Sequence, residues 1–189
     1  MRALATWSGA IVGLLMIVAG GLIPASIAWP DAHGLSLRPL GITLQVPALL
    51  LAALVTGPRS ALLAAVAYLS VGLFQLPVFQ DGGGLSYLLD PGFGYLAGFL
   101  PAAWITGRLA RQSGMDDPLA LSGAAALGLL VLQFCGMVNL LLGAAAGRWQ
   151  TPLLPLLMGY SLAVLPQLLL CCAAGLLAWL LRRILLVRP

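Results

Sequence analysis

The sequence predicts an all-α integral membrane protein, a single domain over residues 1–189 in which six helices cross the bilayer. Three observations carry this. Hydrophobic residues make up 61% of the 189 positions and charged residues only 7%, against about 25% charged in an average soluble domain, and mean hydropathy is +1.06. The few charges divide the chain into uncharged intervals, and most of these approach or exceed the ~20 residues a helix needs to cross the hydrocarbon core. The charged set itself is nine arginines and five aspartates, with no lysine and no glutamate.

The first uncharged interval, Ala3 to Pro30, predicts a span over about 4–29. Arg2 precedes it and Ser26-Ile27-Ala28 resembles a cleavage site, but the apolar run is nearly twice the length of a secretory h-region, so it reads as a retained helix. Within it Ala5, Gly9 and Gly13 recur every fourth residue, a small-residue stripe that lets another helix approach closely. That helix can belong to this chain or to a second protein. Spans two and three, about 39–57 and 60–76, are separated by Gly57, Pro58 and Arg59.

The stretch LPVFQDGGGLSYLLDPGFGYLAGF, Leu76 to Phe99, follows span three and is the most polar and glycine-rich part of the chain. Gly82, Gly83, Gly84, Gly92, Gly94 and Gly98 permit close backbone approach, while Phe79 and Tyr95 offer flat apolar faces. A loop of that chemistry anchored by membrane helices is expected to form a lid or wall over a small-molecule pocket. Span four, about 92–110, is short; spans five and six, about 119–144 and 153–181, are long enough to tilt or to carry re-entrant ends. Pro24, Pro47, Pro101 and Pro166 fall inside these spans, where proline frees a carbonyl and tends to kink a helix. No convincing internal repeat points to an inverted-repeat transporter.

Orientation comes from arginine. With the N-terminus inside, Arg2, Arg59, Arg108, Arg111, Arg182, Arg183 and Arg188 lie in the cytoplasm and only Arg38 and Arg148 outside, so both termini are predicted inside. The same assignment puts Asp31, Asp81 and Asp90, and hence the glycine-rich loop, on the outer face.

Several function classes are excluded or disfavoured by composition. A P-loop needs a lysine and an HExxH zinc site a glutamate, and the chain has neither residue. His33, Cys135, Cys171 and Cys172 show no metal-ligand spacing, and adjacent cysteines on a helix point about 100° apart. No buried carboxylate pair or histidine-serine set is present, so an enzyme is not expected, nor a metal, a cofactor or a nucleic-acid partner. What the spans do hold is a set of uncharged polar residues: Gln45, Tyr68, Gln75, Gln133, Asn139 and Gln167. Each can bond a neighbouring helix; together they suit a small amphipathic ligand better than an ion. Gln45, Gln75 and Asn139 are expected to converge beneath the outer loop.

The run TLQVPALLLAALVTGPRSALLAAVAYLSVGLFQLPVF, Thr43 to Phe79, the glycine cluster after it and PGFGYLAGF, Pro91 to Phe99, together resemble the BioY family. Its members are the membrane-embedded, biotin-specific substrate-binding (S) components of energy-coupling factor (ECF) transporters. The matching residues are Thr43, Leu44, Gln45; Gly57, Pro58, Arg59; Leu76 to Phe79; and Pro91, Gly94, Tyr95, Gly98, Phe99, about a third of the chain. The resemblance implies an S-component-like bundle in a bacterial plasma membrane that captures biotin from the outer face. It implies a pocket closed by the loops after spans one and three, and energy from a transmembrane coupling protein and two ATPase subunits. Helix one, with Ala5, Gly9 and Gly13, would then be part of the docking surface.

One departure stands out. Many members carry an aspartate, and a lysine one turn later, shortly after a proline of the last helix, whereas this chain has Leu168 and Cys171 there. With that charged pair missing, Gln45, Asn139 and Gln167 are the candidates for the ureido group of biotin and Arg148 or Arg38 for its carboxylate. Phe79, Gly82, Gly83, Gly84 and Tyr95 are expected to form the lid and wall. A different vitamin, a biotin precursor, or a non-transporting membrane scaffold remain the alternatives.

Overall fold

A computed structural model of the chain describes residues 2–31, 34–74, 76–79, 82–161 and 164–186. His33, Gln75, Asp81 and Arg188, for which the sequence raises expectations, lie outside the described residues. Helix α1 covers Arg2–Leu22 and is followed by two strands, β1 Pro24–Asp31 and β2 Gly34–Thr43. Then come α2 Gln45–Thr56, α3 Pro58–Phe74, a 3-10 turn Leu85–Leu89, α4 Phe93–Ala97 and α5 Phe99–Leu109. Helices α6 Pro118–Ala145, α7 Leu153–Ser161 and α8 Val164–Ile184 complete the described elements.

The strands correct the all-α expectation. They pair antiparallel, with Ser26 opposite Pro39 and Ile27 opposite Arg38. Proline explains where the helix gives way: Pro24 disfavours helical backbone at Ile23 and has no N–H to donate, so α1 stops at Leu22 and not near residue 29. A two-stranded ladder consists of edges only, which is where Pro24, Pro30 and Pro39 are tolerated. The same hairpin delays α2 to Gln45, six residues after the predicted start, and leaves it 12 residues long.

Of the other prolines, Pro47 leaves its helix unkinked, whereas Pro101 interrupts one as expected. Pro47 is the third residue of α2, in the first turn, where no intrahelical bond to its nitrogen is required, and Pro166 follows closely on residues 162–163, which lie outside the described residues. Pro101 cannot bond the carbonyl of Ala97, and the predicted fourth span accordingly divides into α4 and α5 around Gly98. Helix α6 starts cleanly, with Pro118 at its first position and the Asp117 carboxylate accepting from Leu119 N at 3.1 Å.

The core runs through α2, whose residues Leu49 to Leu54 are all buried. A helix buried on every side shows no polar face, which is why its sequence is uniformly apolar. Around it pack α1, α3, α5 and α8, with α6 against α5 and α8. The contact of α1 with α2 and α3 uses the small-residue stripe: a Cβ on Gly9 would lie 3.1 Å from Thr56 and Ser60, and one on Gly13 3.0 Å from Ala64. Outward-facing residues such as Leu4, Phe134, Leu154 and Leu165 are 64–76% exposed, an apolar exterior suited to lipid rather than water. Among the described residues, Ala3–Leu22, Pro118–Ala145 and Leu153–Ile184 are long and apolar enough to cross a membrane.

One end of the bundle gathers arginines. Arg111 Nη2 donates to the Thr56 carbonyl at 3.3 Å, joining the α5–α6 connection to the α2–α3 turn. Buried Arg182 donates to the carbonyls of Met115 and Ala110, both at 3.0 Å, tying α8 to the same connection. The hairpin, the glycine-rich loop and the α6–α7 connection lie at the helix ends opposite these.

Candidate ligand-binding site

A cavity of about 270 Å³ opens among the helix ends on the hairpin side. Its walls come from five places in the sequence. The end of β2 and start of α2 supply Gly41, Ile42, Thr43, Gln45 and Val46; the 3-10 turn supplies Tyr87; and the α4–α5 region supplies Gly92, Tyr95, Leu96 and Phe99. Helix α6 adds Leu132 and Gln133, and α7 with α8 add Gly159, Tyr160 and Gln167. This volume is near the lower end of small-molecule sites, about 300 Å³ and above.

Three glutamines give the cavity its polarity, and two hydrogen bonds hold them in place, one on Gln45 and one between Gln133 and Gln167. Gln45 Nε2 donates to Tyr68 Oη, which in turn donates to the Val78 carbonyl at 3.0 Å, so the cavity wall is tied to the base of the glycine-rich loop. Gln133 Nε2 donates to Gln167 Oε1 at 3.0 Å, bridging α6 and α8. Gln45 Oε1, Gln133 Oε1 and Gln167 Nε2 make no hydrogen bond with described residues and stay available to a ligand. No Asp, Glu, Lys, Arg or His occurs among the described lining residues.

Aromatic rings make the apolar wall. Tyr95 stacks on Tyr160 with centroids 5.1 Å apart. A Cβ on Gly136 would lie 2.3 Å from the Tyr95 ring, so glycine at this position in α6 is what lets the ring lie where it does. Behind Tyr87, at 4.8 Å, sits the buried ring of Phe79, which also packs edge-on against Tyr68 at 5.4 Å.

The sequence-predicted residues are therefore distributed as follows. Gln45, Tyr95 and Gln167 come together on the cavity wall. Phe79 supports that wall from behind. Gly82 and Gly84 take positive φ, +118° and +99°, in the loop, with backbone bonds between Phe79 and Gly82; Gly83 borders a separate cleft with Ser86 and Asp90. Asn139 is not on the wall: its Nδ2 donates to the Pro91 carbonyl at 3.1 Å and fastens α6 to the segment before α4. Arg148 is exposed and lies over the Trp149 ring at 5.3 Å, and Arg38 is exposed on β2. Of the α1 stripe, Gly9 and Gly13 face this chain's own helices and Ala5 is exposed. Leu168 is off the wall and Cys171 is fully buried in the core. Tyr87, Gln133 and Tyr160 join the wall without having been singled out for it; Gln133 had a signal, an amide inside an apolar run, and the tyrosines had none.

The model of one family matches residues 2–186, nearly the whole chain, and its description reads BioY family. The chain belongs to the BioY family. Among BioY relatives, the biotin transporter BioY of Thermotoga maritima is 34% identical over 115 residues, covering 60% of this chain and 68% of that protein. That of Rhodobacter capsulatus is 33% identical over 143 residues, 72% of this chain and 70% of its own length. A probable biotin transporter BioY of Lysinibacillus sphaericus is 36% identical over 90 residues, 48% of this chain and 46% of that one. In fold, this BioY chain is similar to the S-component for biotin from an ECF-type ABC transporter, solved at 2.1 Å. The TM-score is 0.69 at 21% identity, over 100% of this chain and 93% of the other.

Proposed function

We propose that this protein is the substrate-binding component of a biotin uptake system and not an enzyme. The observation that carries this reading is a cavity whose described lining residues are uncharged and include three glutamines and a tyrosine pair, in a BioY-family chain. Biotin presents two ureido N–H donors, one ureido oxygen and an apolar thioether ring. The two available amide oxygens of Gln45 and Gln133 complement the donors, the Gln167 amide complements the oxygen, and Tyr95 and Tyr160 cover the ring. Asn139 and Phe79 serve this site by holding the segments that bear Tyr95 and Tyr87.

The proposal extends to arrangement and partners. In this reading α4–α5 and α7–α8 each count as one of six spans of a single domain, both termini and the arginine-rich end face the cytoplasm of a bacterial cell, and the cavity opens outward; the arginine asymmetry supports it. Energy comes from a separate ECF module, a transmembrane coupling protein with two ATPase subunits. Docking falls to α1, where Ala5 and the exposed Trp7 and Ile11 are open to a partner helix while Gly9 and Gly13 keep α1 seated.

Equilibrium binding by the purified protein tests the ligand. Biotin is expected to bind, desthiobiotin more weakly and unrelated vitamins not at all. Tight binding of another vitamin with none of biotin would replace the ligand and keep the architecture.

A further inference from the structure

A site for an anion normally brings a cation or a set of converging N–H groups to the charge, and the described lining residues of this cavity include no cation. Its described lining residues offer amides, phenols and one threonine hydroxyl. Arg38 and Arg148 are exposed and do not line it, and Arg148 is engaged with Trp149. Helix α8 contributes Gln167 alone, since Leu168 lies off the wall and Cys171 is buried in the core.

A carboxylate drawn into such a space would give up its hydration without a counter-ion, a strongly unfavourable exchange. A neutral cyclic urea meets amide donors and acceptors of matching number. Resting on the biotin reading above, we propose that the cavity recognises the neutral urea-bearing ring and takes no part of its selectivity from the carboxylate. The ligand class is then cyclic ureas bearing an apolar arm, whether that arm ends in an acid, an amide or an ester. The carboxyl end is then left to water outside the amide-lined part of the cavity.

The test is competition against radiolabelled biotin on the purified full-length protein, using biotinamide and biotin methyl ester, with biotin titrated at 50 and 500 mM NaCl. Both neutral compounds are expected to bind within threefold of biotin, and the Kd of biotin to change less than twofold with salt. An amide or ester more than threefold weaker than biotin, or a larger salt effect, overturns the inference and leaves the biotin reading standing. Failure of biotin itself to bind a protein that still shows a cooperative thermal transition overturns both.

Discussion

Gln167 carries two duties through one side chain: its oxygen accepts from Gln133 across the α6–α8 contact, and its nitrogen stays available on the cavity wall. Gln167→Leu removes both and leaves the Gln133 nitrogen unpaired. With a neutral hydrogen bond contributing about 0.5–1.5 kcal/mol, biotin binding is expected to weaken about 2- to 12-fold in the same equilibrium assay. Gly136→Ala tests the wall without touching a polar group. The added methyl would lie 2.3 Å from the Tyr95 ring and must displace it from Tyr160. A loss of about 1–3 kcal/mol in stability and at least tenfold weaker binding are expected, measured by thermal unfolding and titration. The glutamines were legible in the sequence because an amide in an apolar run needs a partner, whether helix or ligand. Sequence could not tell Gln167 from Asn139, because the difference lies in whether the partner is the Pro91 carbonyl or the cavity. Tyr160 was not legible at all, since nothing near it in the chain announces its stacking on Tyr95.

At the scale of elements, α6 shows when boundaries can be read: predicted over 119–144 and observed over Pro118–Ala145, it is bounded by an aspartate cap with proline at one end and Gly147-Arg148 after the other. The β1–β2 hairpin shows when they cannot. Hydropathy is nearly unbroken from Ala3 to Trp29, and a run of apolar residues fits a spanning helix as well as a helix followed by a strand. Only the proline spacing distinguishes them. The α5–α6 connection depends on α8 through Arg182, whose guanidinium holds two carbonyls. Hydrogen bonds to a charged group contribute about 1.5–3 kcal/mol each, offset here by the cost of burying the charge, so Arg182→Met is expected to lower stability by ~2 kcal/mol. Thermal unfolding in detergent checks it, with ligand affinity unchanged because the arginine end is remote from the cavity.

For the whole molecule, the arginine asymmetry and the cavity position make a joint prediction about sidedness. Single cysteines placed at Ser26 in the hairpin and Gln112 in the α5–α6 connection, both exposed, in a chain lacking its own three cysteines, report it. An impermeant maleimide added to intact cells is expected to label position 26 and not position 112; the reverse pattern inverts the proposed topology. The mostly helical class and the lipid-facing exterior followed from composition alone, whereas the packing of α2 at the centre did not, because uniform apolarity fits an interior and a lipid-facing helix equally. One feature reaches into the biography of the chain. Since the wall draws on both Gln45 and Gln167, a nascent polypeptide leaving the ribosome has no complete cavity, and under the proposed function no vitamin site, until the final helix has emerged. On that proposal recognition is the last property acquired during synthesis, and vitamin present at that moment would select finished molecules over unfinished ones.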